Sequence, residues 1–316
     1  MQLTELPAHR HSIATRSGEI SYIDIGPVTP EGPVTPEGPV TPEGPAGTGP
    51  VALFVHGIAT NAYLWRNVIG ALAGQNTGDR RYIALDLPLH GQSPVTAGQD
   101  LSVAALAAGL EDFCDALGLT GIDLVANDTG GAIAQIFAAR NPQRLASLTL
   151  TNCDTDGNLP PESFKPTVEL ARSGNLAPSA VALFADLDAA AKVAFGTGYE
   201  HLDRVDPAVI RSYLEPCFGT IERAREFERL LAALDTGDLA AVTPRLRELT
   251  VPTLVVWGTG DEAFDVSWAY WLRDIIPGTT RVVTVDGARL FFPDERPMDL
   301  VPHLEQHWAQ AAAVRA

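Results

Sequence analysis

From Val51 onward, short apolar runs alternate with stretches of helical spacing, and that alternation leaves few folds open to the chain. Val51 to Val55, Tyr82 to Leu85, Ile122 to Ala126, Leu148 to Leu150, Thr253 to Trp257 and Arg281 to Val285 read as strands. Runs this short and this uniformly apolar suit a parallel sheet covered on both faces. Between them, Leu101 to Leu117 sets Leu101, Ala105, Leu106, Leu110, Phe113 and Cys114 on one helical face. Gly131 to Arg140 is a second helix, closed by Asn141-Pro142, and a third runs through His303 and Trp308 at the C-terminus. Strand and helix in alternation predict an α/β fold, a mostly parallel sheet flanked by helices. Ahead of it, His11 to Thr15 and Glu19 to Ile25 predict an antiparallel hairpin turned at Ser17-Gly18.

Two segments break the pattern. Val28 to Pro45 is three tandem copies of Val-Thr-Pro-Glu-Gly-Pro, whose prolines forbid both helix and ladder pairing, so a disordered, extended surface loop is expected. Between about Asn158 and Leu249 no strand is evident, only helical stretches at Ser179 to Phe195, Pro207 to Tyr213 and Ile221 to Leu234. A helical insertion between two strands predicts a lid over the carboxyl ends of the sheet, where such folds place their sites. The expected organisation is therefore a core from residues 1–157 and 250–316, with the lid at 158–249.

Composition narrows the function. Hydrophobic residues are 46% of the chain and charged residues 19%, which gives ample material for a core. A net charge of −17 opposes binding to a phosphate backbone or an anionic membrane, and favours a small neutral molecule as partner. Cys114, Cys153 and Cys217 are too few and too scattered for a disulfide framework or a zinc site, and neither a metal nor a cofactor is expected. Met1-Gln2-Leu3-Thr4-Glu5 lacks a basic start followed by an apolar stretch, and no apolar run approaches membrane-spanning length, so a cytoplasmic monomer or homodimer is expected.

The chemistry concentrates in a few segments. Leu124 to Ala132 is a strand that runs through Asn127-Asp128-Thr129-Gly130-Gly131 into a helix. Small residues around such a turn let its central residue, Asp128, stand outward at a helix N-terminus, where a carboxylate can attack carbon. Phe54-Val55-His56-Gly57-Ile58 ends an earlier strand, and the N–H groups of Ile58 and Thr129 are the candidate oxyanion hole. Val256-Trp257-Gly258-Thr259-Gly260-Asp261 places an acid, Asp261, after the strand that follows the lid. His56, and His90 in Asp86-Leu87-Pro88-Leu89-His90-Gly91-Gln92-Ser93, read as loop-packing residues.

In this order, these segments resemble the α/β-hydrolase superfamily, and within it the haloalkane dehalogenase and epoxide hydrolase branch, whose nucleophile is an aspartate. Tyr63-Leu64-Trp65-Arg66-Asn67 after the His-Gly turn is similar to the dehalogenase Tyr-Leu-Trp-Arg segment. The resemblance implies Asp128 as nucleophile and Asp261 as the orienting acid of a triad. It also implies a two-donor halide clamp, an Asn after His-Gly and a Trp after the nucleophile, but Ile58 and Thr129 occupy those positions. The family histidine sits in a Gly-Ala-Gly-His-Phe type loop seven residues before a proline. Counting back from Pro297 in Asp286-Gly287-Ala288-Arg289-Leu290-Phe291-Phe292-Pro293 puts Leu290 there.

Leucine transfers no proton, so either another base serves or the chemistry differs. His303 and His307 read as exposed residues of the final helix, and His201 is the one lid histidine able to swing toward the site. Asn61, Trp65, His201, Leu290 and Phe291 are the candidate pocket residues. Asp128 and Asp261, facing each other across apolar side chains, would push one carboxyl's pKa upward, unless Arg289 pairs with Asp261. Three functions remain open: hydrolysis with a substitute base, a non-hydrolytic elimination, isomerisation or cyclisation, and ligand binding without turnover.

The repeat has a separate consequence. Deleting Val28 to Pro45 should leave the thermal melting temperature nearly unchanged, because closure entropy varies only slowly with loop length. A drop of several degrees in a comparison of melts would show that the segment packs on the body.

Overall fold

The computed structural model describes residues 6–26, 49–74 and 80–315, so the Val-Thr-Pro-Glu-Gly-Pro repeat lies outside the described residues. One eight-stranded sheet runs through the core in the order β1-β2-β4-β3-β5-β6-β7-β8. Its strands are β1 (Arg10–Thr15), β2 (Gly18–Ile25), β3 (Val51–Val55), β4 (Arg81–Leu85), β5 (Ile122–Asp128), β6 (Leu145–Cys153), β7 (Thr253–Gly258) and β8 (Thr279–Val285). The expected hairpin is β1 and β2, which pair antiparallel with Ser12 opposite Ser21, and β2 meets β4 antiparallel; every other pairing is parallel.

Alternate residues of the central strands feed two apolar layers. Ile122, Leu124 and Ala126 of β5 face one layer with Leu110, Phe113, Ile133 and Phe137, while Val125 faces the other with Trp65, Val68, Leu304 and Trp308. The first layer is covered by α2 (Val103–Ala116) and α3 (Thr129–Arg140), the second by α1 (Arg66–Gly74) and the last helix, α13 (Val301–Arg315). The period of two in a strand and the helices on both faces are what the apolar runs demand.

Between β6 and β7 the chain forms only helices: α4 (Lys165–Arg172), α5 (Leu176–Phe184), α6 (Leu187–Phe195), α7 (Pro207–Phe218), α8 (Ile221–Ala232) and the short α9 (Gly237–Ala240) and α10 (Thr243–Leu246). Where one helix was expected over Ser179 to Phe195, two occur. Asp186 adopts an extended backbone and its carboxylate caps Ala189 N–H, which ends α5 and starts α6. After β7 come α11 (Ser267–Ile275) and α12 (Phe292–Glu295). No helix among the described residues is long and apolar enough to cross a membrane.

A buried polar seam joins insertion to core. Asp294 of α12 pairs with Arg66 at 2.7 Å and accepts from Tyr199 Oη at 2.9 Å and from Asn67 Nδ2 at 2.9 Å. Beside it, Phe291 donates its N–H to the Gly198 carbonyl at 2.9 Å and packs its ring on Phe195 and Tyr199, with centroids 5.7 and 5.0 Å apart. A side chain at Gly198 would collide with that ring.

His307 departs from expectation: it is buried, at 1% exposure, near the carbonyls of Leu148 and Pro252, and its Nε2 has no hydrogen-bond partner among the described residues. Leu304, His307 and Trp308 share the inner face of α13, so helical spacing carries the imidazole inward. It lies at the amino end of β6 and β7, the opposite end of the sheet from Asp128. His303 is only half-buried.

Phe291 is the apolar half of the joint between core and insertion. Phe291→Ala should cost about 3–5 kcal/mol, as large-to-small aromatic truncations in cores do, read from the urea midpoint. A loss under about 1 kcal/mol would show that the joint repacks without it.

Candidate active site

β5 ends at Asp128 and α3 begins at the next residue, so Asp128 is a sharp turn between strand and helix. Its backbone has φ 55° and ψ −137°, a conformation that side chains other than glycine rarely adopt and that costs on the order of 1–3 kcal/mol. The flanking glycines make the turn possible. A Cβ on Gly130 would strike the His56 carbonyl, and one on Gly131 would strike Cys153. One on Gly57 would strike the Asp128 carboxylate itself.

That close approach brings Asp128 Oδ2 onto the backbone N–H of Ile58 at 2.8 Å, while the Thr129 N–H, next in the chain, favours the charged form of the carboxyl. Of the two candidate oxyanion-hole donors, Ile58 is the one that hydrogen-bonds the Asp128 carboxylate. His56 and His90 hold the surrounding loops. His56 Nε2 accepts from Leu87 N–H at 2.9 Å, and His90 Nε2 accepts from Ala59 N–H at 3.1 Å. Each Nδ1 faces a backbone carbonyl, Gly57 at 2.7 Å and Pro88 at 3.0 Å. Both rings are fully committed, and burial lowers both pKa values, His90 to about 4, so neither carries charge at neutral pH.

Three aspartates gather at the carboxyl ends of adjacent strands. Asp261, after β7, accepts from Asn152 Nδ2 at 2.7 Å and from the N–H groups of Ala263 and Phe264 at 2.8 and 3.1 Å. Burial still lifts it to about 6. Asp128 rises to about 7, chiefly by burial, with the charge of Asp261 adding to the effect and the Ile58 and Thr129 N–H groups opposing it. Asp154, directly after β6, is 1% exposed; burial and then the charge of Asp128 push it well above the usual carboxylate range. Among the described residues, no group of three or more His, Cys, Asp or Glu side chains is arranged to hold a metal ion.

The other sequence candidates scatter. Leu290 lies at the site's edge: its carbonyl accepts from Asn127 Nδ2 at 3.0 Å, which ties the loop to the residue before Asp128. Phe291 points into the α6 aromatics instead. Arg289 reaches the carbonyls of Gly196 and Tyr199 and lies 3.8 Å from Glu262, so it is Glu262 and not Asp261 that it pairs with. Asn61 is spent on the insertion, donating to the Ser212 carbonyl at 2.9 Å and capping Tyr63 N–H. Trp65 is a core side chain, fully buried against Phe54. His201 is exposed, its N–H bonded to Glu295 at 2.6 Å. Asp154 and Asn152 are additions that sequence reading passed over. The signal was available, since polar residues directly after a buried parallel strand lie at the end where such sheets carry their sites.

A family model described as the alpha/beta hydrolase fold matches residues 50–296. The chain belongs to that family. An uncharacterized Mycobacterium tuberculosis protein, Rv2715, is 38% identical over 107 residues, 34% of this chain and 30% of that protein. A haloalkane dehalogenase of Mesorhizobium japonicum is 40% identical over 101 residues, 32% and 31% of the two chains. These alignments span about a third of the relatives they match. Among solved structures, haloalkane dehalogenase DbeA of Bradyrhizobium elkani superposes with a TM-score of 0.75 at 20% identity, covering 96% of this chain and 99% of that one. The epoxide hydrolase CorEH superposes at 0.71 and 18%, covering 95% and 98%. At such identities the likeness is one of fold.

Within this alpha/beta hydrolase fold, the raised carboxyl has a stability consequence. The folded protein holds the Asp128 proton more tightly than the unfolded chain, so this group subtracts stability as pH rises from 3.8 to about 7, and the deficit is complete above that. Asp128→Asn should therefore stabilise the fold by roughly 2–4 kcal/mol at pH 8 and by almost nothing at pH 4, measured by paired melts. An equal effect at both pH values would mean that the carboxyl is not desolvated.

Proposed function

We propose that this protein is an enzyme acting on a small, largely apolar molecule, with Asp128 as its nucleophile and a triad that lacks histidine. The observation that carries this reading is Asp128 Oδ2 seated on the Ile58 N–H at a strained strand-to-helix turn. With Oδ2 held, Oδ1 is the oxygen left to attack an electrophilic carbon. Once an ester forms, Oδ2 becomes its carbonyl oxygen, and the same N–H donors are aimed at the charge that develops when water adds. The helices between β6 and β7 act as the lid that shields this step from solvent. Similarity to haloalkane dehalogenases and to an epoxide hydrolase suggests haloalkanes or epoxides as the electrophile class.

Leu290 stands where the family's base would be, so release of the ester loses assistance worth about 10²–10⁴-fold. A second reading is proton transfer without a covalent step, an elimination, isomerisation or cyclisation. It is favoured by two buried carboxyls at about 7 and about 6, an acid and a base in one pocket near neutral pH.

The test is intact-protein mass after incubation with small haloalkanes and epoxides, with peptide mapping of any adduct. A covalent adduct on Asp128, lost in Asp128→Asn, is expected. Leu290→His, with Asp261 as orienter, should shorten the adduct's lifetime by about a hundredfold. Full activity of Asp128→Asn on an identified substrate would end the reading.

A further inference from the structure

Asp154 is the buried group that the proposed chemistry leaves unused. Its Oδ2 lies 2.8 Å from Thr129 Oγ1, and Thr129 directly follows Asp128, whose charged form the Thr129 N–H favours. Gln135 of α3 fixes the backbone of Asp154 by donating to its carbonyl at 2.8 Å. Oδ1 of Asp154 is sealed from solvent and has no partner among the described residues. An ionised carboxylate with a bare oxygen is costly in such a place. Among the described residues, the titratable groups that act on it are Asp128 and Cys153, and no cationic side chain offsets it. Two carboxyls so placed resist ionising together, so when Asp128 is ionised Asp154 keeps its proton, and a protonated Oδ2 donates to Thr129 Oγ1 across the same contact.

We propose that Asp154, acting through the hydroxyl of Thr129, is the proton relay that stands in for the missing histidine. The inference rests on Asp128 as nucleophile. With an epoxide the steps balance. Asp128 Oδ1 bonds to a ring carbon, the ring C–O bond breaks, and the freed oxygen takes the proton of Asp154 by way of Thr129. This leaves a hydroxyalkyl ester on Asp128, now uncharged, beside an ionised Asp154. Water then adds to Cγ of Asp128 while its proton passes through Thr129 to Asp154, and Oδ2 takes up the negative charge in the N–H hole. The tetrahedral species collapses, the bond from Cγ to the alkyl oxygen breaks, and the departing alkoxide takes the proton from Asp154. The diol leaves, and the Asp128 and Asp154 pair again holds one proton. Asp154 is a positioning and relay residue in this scheme, since Thr129 stands between it and the reacting atoms.

The experiment uses 1,2-epoxyhexane, with the adduct on Asp128 followed by intact mass and hexane-1,2-diol followed in solution. Asp154→Asn and Thr129→Val should each slow ester release at least about tenfold, and Thr129→Ser should recover what Thr129→Val loses. The parent's release rate should also depend on pH, and Asp154→Asn should flatten that dependence, an effect that lost packing does not produce. Circular dichroism and melts identify any variant that fails to fold, and the Thr129 pair then carries the test alone. Equal adduct lifetimes in parent, Asp154→Asn and Thr129→Val overturn the relay while leaving Asp128 as nucleophile. Neither adduct nor diol from the parent overturns both.

Discussion

The contact on which the rest of the structure depends is the one between the Asp128 carboxylate and the backbone N–H of Ile58. It requires a residue other than glycine at φ 55°, a glycine at position 57 so that the carboxylate can approach, and Gly130 and Gly131 so that α3 can start against β3 and β6. It also requires the sheet order, because only adjacency of β3 and β5 brings the two turns together. Burial opposes the charge and the N–H donors favour it, and burial wins by enough to move the carboxyl into the neutral range. In the proposed chemistry, a carboxylate that is desolvated yet held is a better nucleophile and base than one in water, and the strain and the electrostatic cost would serve that one end.

The histidines are held in other parts of the fold, and among the described residues none hydrogen-bonds Asp128. His56 and His90 are locked as neutral braces of the two loops, His307 lies at the opposite end of the sheet, and His201 is on the surface. Leu290 lies on a loop held from two sides, by Asn127 on the elbow and by Phe291 against Phe195 of α6. The buried Arg66, Asp294 and Tyr199 seam then fixes α12, which follows that loop, against the insertion. The loop is a well-anchored part of the structure.

Much of this was legible in the chain because apolar periodicity and glycine placement are local signals. The alternation of strands and helices, the hairpin and the strand-to-helix turn at Asp128 all follow from a few residues at fixed spacing. Strand ends were read short for a physical reason: Asn127, Asp128 and Thr151 to Cys153 are polar or small, yet they continue β5 and β6 into the site. Asp154 was hidden by the same effect, and its pairing with Thr129 depends on strand register that no local pattern carries. Asn61 and Trp65 lie in the right segment, but Asn61 is taken up by Ser212, distant in sequence, and Trp65 by Phe54 of β3 in the core. His307 was misjudged because one polar residue on an amphipathic helix does not say which face it lies on.

The account turns on Asp128 being a desolvated carboxyl that retains its proton near neutral pH, and a carbon-13 NMR titration of the aspartate carboxyls measures that directly. The Asp128 resonance is the one missing from Asp128→Asn. The account predicts a midpoint at about 7, with the Asp261 resonance titrating ahead of it at about 6. A midpoint for Asp128 near the ordinary aspartate value of about 4 would contradict it, since the carboxylate would then be solvated and the elbow no more than a turn.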